Sequence, residues 1–160
     1  MVSHHLVNLI RVILLVMLGA LAAESLAVHS EHYKVVNGVA IYLGIVPAEM
    51  IREHGPGQTE STMHSGIPPG GRHHHVMIAV FDNNSGKRIE NAEVEATVRE
   101  LGLSGQQKKL EPMVVANTIT YGNYFSMTAG GIYRIHIRIR LPGVARPIEA
   151  RFEYVNAPHK

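Results

Sequence analysis

Apolar and polar residues alternate with a period of two along much of this chain. The clearest case is residues 132–141, IYRIHIRIRL, where apolar side chains take every second position and cationic or imidazole side chains lie between them. Residues 92–100, AEVEATVRE, alternate in the same way. Because successive side chains of a strand point to opposite faces of a sheet, each segment is predicted to bury one face in a core.

Further strands are predicted in the segments VNGVAIYLGIV, HHHVMIAVFD, LEPMVVA, YGNYFSM and IEARFEYV. Asp, Asn, Ser and Gly in DNNSGKR favour a tight turn, LGLSGQQKK has the composition of a loop, and PGVARP ends a strand. About seven short strands separated by such turns predict an all-β domain, an immunoglobulin-like β-sandwich.

The alternation stops in a long segment, about residues 47–72. Its first part, PAEMIREHG, is compatible with one or two helical turns that have Pro47 at the first position and Gly55 near the end. Its remainder, PGQTESTMHSGIPPGG, is rich in residues typical of loops. Irregular segments of this length inside a compact domain are usually either functional or disordered.

The amino terminus has the organisation of an export signal. A basic region ends at Arg11, an apolar stretch of 12 residues covers 12–23, and Ser25-Leu26-Ala27 provides small residues for cleavage. Such a stretch is short of the roughly 20 residues that a membrane-spanning helix needs. We expect residues 1–27 to be a cleaved signal peptide, residues 28–160 to form one domain, and a bacterial periplasm to be its compartment.

Composition adds two constraints. The 160 residues include no cysteine, so the domain lacks disulfides, and any soft metal ligand must be methionine or histidine. The formal net charge is +2, and the basic residues do not alternate with stacking aromatic residues, so nucleic acid is not an expected partner.

Candidate metal ligands cluster in residues 63–77, MHSGIPPGGRHHHVM. In a strand, His73 and His75 lie on one face with side chains about 7 Å apart, and a third ligand must come from elsewhere. Met63 and His64 in the preceding loop are candidates. Imidazole together with thioether sulfur suits copper, whereas zinc more often recruits cysteine or carboxylate. The alternative is a polar loop that leads into a strand, with His74 in the core and Met77 as ordinary packing.

Catalytic patterns are lacking. No serine lies in a G-x-S-x-G turn, no phosphate-binding G-x-x-x-x-G-K-[ST] motif is present, and the chain has a single aspartate, Asp82, in a predicted turn. We expect no enzymatic turnover.

The segment KLEPMVVANTITYGNYFSMTAGGIYRIHIRI resembles the Tpd family of periplasmic companions of bacterial iron uptake. The matching positions are Pro112, Met113, Val114, Ala116, Tyr121, Gly122, Asn123, Met127, Gly131 and Tyr133. Upstream, VAIYLGIVPAEM is similar to the family's opening strand. The resemblance implies an immunoglobulin-like sandwich, often a dimer, that binds copper or another divalent metal through histidine, methionine and a carboxylate. SGKRIENAEVEATV also resembles a hairpin of small secreted YtkA-like sandwiches.

The resemblance carries His73 and Met113 over as metal ligands and puts His75 at the place of a glutamate ligand. Two family ligands are replaced, because Thr120 stands at a histidine position and Asn117 at an aspartate position. A later metal histidine has no counterpart in LPGVARP. Met63 and His64 would fill the gap, or the chain binds metal weakly or not at all.

Two functions from different classes follow. The first is a periplasmic transition-metal-binding protein, with copper as the ligand at His73, His75 and Met113, that assists a membrane metal transporter or a periplasmic oxidase. The alternative is a metal-free module that docks an acidic partner through Arg134, Arg138 and Arg140 on an exposed strand face.

Overall fold

The computed structural model describes residues 32–53 and 66–158. The predicted signal peptide and the loop candidates Met63 and His64 lie outside these ranges. In the described part the chain forms β1 (Tyr33–Val36), β2 (Val39–Pro47), α1 (Ala48–Glu53), β3 (His73–Asp82), β4 (Glu93–Glu100), β5 (Gly105–Val115), β6 (Thr118–Ser126), β7 (Ile132–Arg140) and β8 (Ile148–Val155).

The eight strands form a single antiparallel order, β1-β2-β3-β6-β5-β4-β7-β8. The two end strands approach each other, and Lys34 Nζ of β1 lies 5.6 Å from the ring centroid of Phe152 in β8. The sheet is therefore nearly closed. The prediction of an all-β domain is confirmed, while the immunoglobulin-like sandwich stays a prediction.

The start of β2 and the start of β5 differ from the predicted strands. The segment VNGVAIYLGIV is not one strand, because Asn37 and Gly38, with φ of 50° and 78°, form a two-residue hairpin loop between β1 and β2. The segment LGLSGQQKK is not all loop, since its second half, from Gly105, pairs with β4. Cross-strand pairing outweighs the polar composition of GQQKK, which lengthens β5 at its start. The strand count is eight instead of about seven because β1 precedes the Asn37-Gly38 loop.

The core lies where the alternation placed it. The alternating apolar positions of β4, and those of β7 from Tyr133 onward, are buried, and Ile135, Ile137 and Ile139 are fully inaccessible. On β3 the core side chains are Val76, Ile78 and Val80, and His74 is buried on the same face. The opposite face of β3 carries His73 and His75, as the period of two predicts.

Strand β5 belongs to both halves of the sheet. Its first part pairs with β4 through residues 105–110, and its last part pairs with β6 through residues 111–115. This change of partner brings Met113 beside β6, which is the neighbour of β3. The strands β2, β3, β6 and the end of β5 thus present one continuous face that carries the candidate ligands.

Helix α1 begins directly after β2, and its first residue, Ala48, is fully buried. The carboxylate of Glu49 fills the place that a β-carbon on Gly71 would take, so the helix contacts the loop that leads into β3. None of the helices in the described ranges is long and apolar enough to cross a membrane.

Candidate metal centre

The candidate site is built around Gly122 in the middle of β6. Gly122 pairs with Met77 of β3 on one side and with Glu111 of β5 on the other. A β-carbon added to Gly122 would lie 2.6 Å from His75 Nε2 and 3.2 Å from Met113 Sδ. An imidazole nitrogen and a thioether sulfur from two different strands therefore converge on the same point. We call the place formed by Gly122, His75 and Met113 the Gly122 hollow.

Glycine supplies the space in this hollow. A glycine in the interior of a strand commonly marks a close approach of another group to the backbone. Here the approaching groups are the ends of His75 and Met113, which are both almost inaccessible, at 0% and 1% relative exposure. The hollow is thus an enclosed place lined by nitrogen and sulfur.

His75 is held in position by an aromatic neighbour. Its imidazole stacks on the ring of Tyr124, with 4.6 Å between the centroids and 26° between the planes. The two residues are also direct partners in the pairing of β3 with β6. Lys108 Nζ donates to the carbonyl oxygen of Tyr124 at 2.7 Å, which ties this part of β6 to β5. Tyr124 thereby limits where Nε2 of His75 can point.

Thr120 occupies the position at which the family resemblance has a histidine, and it is hydrogen-bonded to an arginine. Thr120 accepts a hydrogen bond on Oγ1 from Arg88 Nη1 at 2.9 Å, and the same nitrogen donates to the carbonyl oxygen of Ile119 at 2.7 Å. The guanidinium also lies 4.6 Å from the ring centroid of Phe81. Thr120 is the direct partner of Met113, so a fixed cation lies near the sulfur side of the hollow.

His73 lies beside the hollow and not in it. It is two residues from His75 on the same face of β3, a step of about 7 Å, and its direct partner on β6 is Ser126. Its Nδ1 is buried and makes no hydrogen bond to any residue that the structure describes. His73 is therefore placed to support a ligand set, but Gly122 lies opposite Met77, farther along the strand.

The donors present fit copper by their chemistry. His75 and Met113 offer one neutral nitrogen and one neutral sulfur, the combination that copper accepts. Over residues 32–53 and 66–158 no group of three or more His, Cys, Asp or Glu side chains could hold a metal ion. A third ligand is then a methionine, or it comes from outside these ranges, where Met63 and His64 lie.

Sequence reasoning did not place Gly122 at the centre of the site, although the residue was part of the matching Tyr-Gly-Asn segment. The signal was available, because glycine interrupts an otherwise regular strand of aromatic and β-branched residues. Met77 and Glu111 were also missed as neighbours of the site. Only the pairing of β6 with β3 and β5 puts them on either side of Gly122.

The arginine face, formed by Arg134, Arg138 and Arg140, lies on β7 in the other half of the sheet. Arg138 forms a salt bridge with Glu149 of β8 at 3.2 Å, and Arg134 one with Glu153 at 3.7 Å. Nε2 of His136 lies 3.4 Å from the second oxygen of Glu149. Cross-strand carboxylates thus balance part of the positive charge on this face.

Comparison with known proteins places this fold among small β-proteins, several of which have been solved with copper bound. No protein-family model matches the chain, and no curated protein sequence matches it at a significant level. The resemblance to solved structures is one of fold, since sequence identities are 13 to 16%.

Three of these structures represent the group. A copper-bound variant of FetP from uropathogenic Escherichia coli strain F11 superposes with a TM-score of 0.58 at 15% identity, over 78% of this chain and 93% of FetP. Copper-reconstituted P19 from Campylobacter jejuni gives 0.55 at 14% identity, over 79% and 95%. A DUF4426 family protein from Pseudomonas aeruginosa gives 0.60 at 13% identity, over 80% and 95%. These neighbours are consistent with the Tpd resemblance.

Proposed function

We propose that this protein is a periplasmic copper-binding protein whose ligands include His75 and Met113 in the Gly122 hollow. The observation that carries the proposal is the convergence of His75 Nε2 and Met113 Sδ on the space above Gly122, 2.6 and 3.2 Å from the position of a β-carbon there. The Gly122 hollow would hold a copper ion and release it to a partner protein. The protein's own residues hold the donors in place and keep water out.

Burial supports a binding role. Placing an imidazole and a thioether together at less than 2% exposure, next to a glycine that leaves room, is what an enclosed site for a soft ion requires. The stacking of Tyr124 on His75 fixes the orientation of the imidazole before an ion arrives. Preorganised donors of this kind reduce the free energy spent on ordering ligands during binding.

The cellular role is proposed as delivery or accessory binding for a membrane metal uptake system or a periplasmic oxidase, without catalytic turnover. The neighbours of this fold support a metal-related role, and FetP was obtained by expression in the periplasm of Escherichia coli. A cleaved leader before residue 28 would bring the protein to the same compartment. Dimerisation is part of the proposal, on the basis of the family resemblance.

Calorimetric titration of the leaderless, tag-free protein tests the proposal. Cu(II) is added in air and Cu(I) under reducing conditions, to the wild-type chain and to the double variant His75→Ala/Met113→Leu. We expect one tight equivalent of copper in the wild type and loss of that binding in the variant, with an unchanged far-ultraviolet circular dichroism spectrum. Wild-type binding no tighter than millimolar for both ions would contradict the proposal.

A second control separates the hollow from the histidine pair. The variant His73→Ala/His75→Ala removes both imidazoles on this face of β3. The variant Lys34→Ala/His32→Ala removes a cation in β1 and an imidazole just before it, two strands away from β3. Copper binding should disappear in the first pair and persist in the second. Equal loss in both would point to adventitious surface binding.

A further inference from the structure

Two further residues flank the Gly122 hollow on the neighbouring strands. Besides His75 and Met113, the residues paired directly across from Gly122 are Met77 on β3 and Glu111 on β5. Directly opposite residues of an antiparallel pair point to the same face, with β-carbons about 5 Å apart. Met77 and Glu111 are thus the two nearest candidates on the described strands for completing the ligand set, and they differ in chemistry.

Met77 has unusual freedom to reach the hollow. Its two direct partners are both glycines, Gly44 on β2 and Gly122 on β6. In the structure it lies toward Gly44, with Cε and Cβ at 3.4 and 3.7 Å from the position of a β-carbon there. Neither partner offers a side chain that would confine it. Because methionine is unbranched and has three rotatable side-chain bonds, its sulfur can turn over Gly122.

The charge around the hollow favours an ion of low charge. The donors His75, Met113 and Met77 are neutral, and the guanidinium of Arg88 is fixed on Thr120, the partner of Met113. A fixed cation disfavours further positive charge nearby. Glu111, in contrast, is exposed, so its carboxylate is screened by water.

We propose that Met77 is a third ligand of the Gly122 hollow and that the resulting set of one imidazole and two thioethers selects Cu(I) over Cu(II). Two soft sulfurs favour the monovalent, softer ion, and the absence of a carboxylate from the set removes the ligand that would favour a divalent one. This inference rests on the proposed function, and it adds the oxidation state and the residue that decides it.

The test compares Met77→Leu, which keeps the volume and removes the sulfur, with Glu111→Gln, which removes the charge and keeps the shape. Cu(I) affinity is measured by competition with bicinchoninate, Cu(II) affinity by calorimetry, and the number of sulfur ligands by X-ray absorption of the Cu(I) form. We expect two sulfurs in the wild type and one in Met77→Leu. Cu(I) affinity should fall about 100-fold or more in Met77→Leu, at or beyond the upper end of the 10- to 100-fold loss typical of groups that only position a ligand.

Cu(II) affinity should change by less than about threefold in Met77→Leu, and Glu111→Gln should leave Cu(I) affinity within the same range, about 0.7 kcal/mol. One sulfur in the wild type overturns the inference, whatever the variants do. Unchanged Cu(I) affinity in Met77→Leu, together with loss of copper in His75→Ala, also overturns the inference. In that case the proposed function still stands. Loss of copper in Glu111→Gln alone would instead indicate a carboxylate ligand. A wild-type chain that binds neither ion contradicts both proposals.

Discussion

His75 Nε2 lies 2.6 Å from the point at which a β-carbon on Gly122 would stand. Real β-carbons essentially never come within 3.0 Å of another heavy atom, so any side chain at position 122 must displace the imidazole. Gly122 is not among the glycines with positive φ, and its backbone therefore suits any residue. Space for His75 and Met113, and not backbone conformation, is what requires glycine here.

Gly122→Ala is predicted to abolish copper binding while the fold survives. The added methyl group takes the space between His75 Nε2 and Met113 Sδ and forces at least the imidazole to move. Overpacking of this kind in a well-packed region costs about 1 to 3 kcal/mol of unfolding free energy. Copper titration checks the binding, and urea unfolding checks the stability.

The matched control for that variant is Gly105→Ala. Gly105 lies in β5 and, like Gly122, has an ordinary backbone, and an added β-carbon would meet Thr97 and Arg99 at 3.2 and 3.3 Å, away from the hollow. It should keep copper binding at the wild-type level. Tight copper binding by Gly122→Ala would show that the ion does not use the space above Gly122.

His75 and His73 are predicted to contribute unequally. His75→Ala should remove copper binding, because its Nε2 is the nitrogen at the hollow. His73→Ala should weaken binding by about 10- to 100-fold at most, the range for a neighbour that supports a ligand, because it is one two-residue step away and pairs with Ser126. Separate titrations of the two single variants check this order. The reverse order would move the site toward the start of β3.

Strand patterning predicted most of the fold, and the reason is physical. A period of two fixes which side chains are buried once a strand forms, so Ile135, Ile137 and Ile139 could be assigned to the core from their spacing alone. The start of β2 was wrong because a run of apolar residues does not show where a two-residue Asn37-Gly38 loop reverses it. Asn-Gly is itself a hairpin signal, and in the structure it ends β1 despite the apolar residues on both sides.

The site could be predicted only in part. His75 was a candidate ligand from its place in the strand, and Met113 was one through the family resemblance. The structure places them together, and metal binding by them stays a prediction. The roles of Met77 and Gly122 depend on the register of β3 against β6, which the pattern of one strand does not determine. Contacts between strands that are distant in sequence are decided by sheet order, and local alternation carries no information about that order.

Tyr121→Phe is predicted to destabilise the fold without affecting copper. The hydroxyl of Tyr121 accepts a hydrogen bond from the amide of Ala92 at 2.9 Å and donates to the carbonyl oxygen of Ile89 at 3.3 Å. Removing it leaves two backbone groups without this partner, at a cost of about 1 to 2 kcal/mol. Urea unfolding at neutral pH measures the difference between the two proteins.

The same difference should shrink at high pH. Burial raises the pKa of Tyr121 above its ordinary value, so the folded state holds the phenolic proton more tightly than the unfolded state. The stabilisation is complete below the ordinary pKa of tyrosine, about 10, and is lost as the pH rises through the folded pKa. Tyr154, whose pKa burial also raises, titrates in both proteins and cancels in the comparison. A gap that widens above pH 10 would contradict this assignment.

The arginine face is predicted to contribute little to stability and nothing to copper binding. Arg138 and Glu149 form a 3.2 Å salt bridge with side chains 39% and 40% exposed, and exposed pairs are typically worth about 1 kcal/mol or less. In a double-mutant cycle of Arg138→Gln with Glu149→Gln, the coupling energy should stay below about 1 kcal/mol and decrease with added salt.

Copper titration of Arg134→Gln/Arg138→Gln should match the wild type, because these residues lie on β7, in the half of the sheet that does not carry the Gly122 hollow. If the protein instead docks an acidic partner through this face, Arg134→Gln/Arg138→Gln would lose that partner and Gly122→Ala would keep it. Measuring copper and partner binding in both variants therefore distinguishes the two functions.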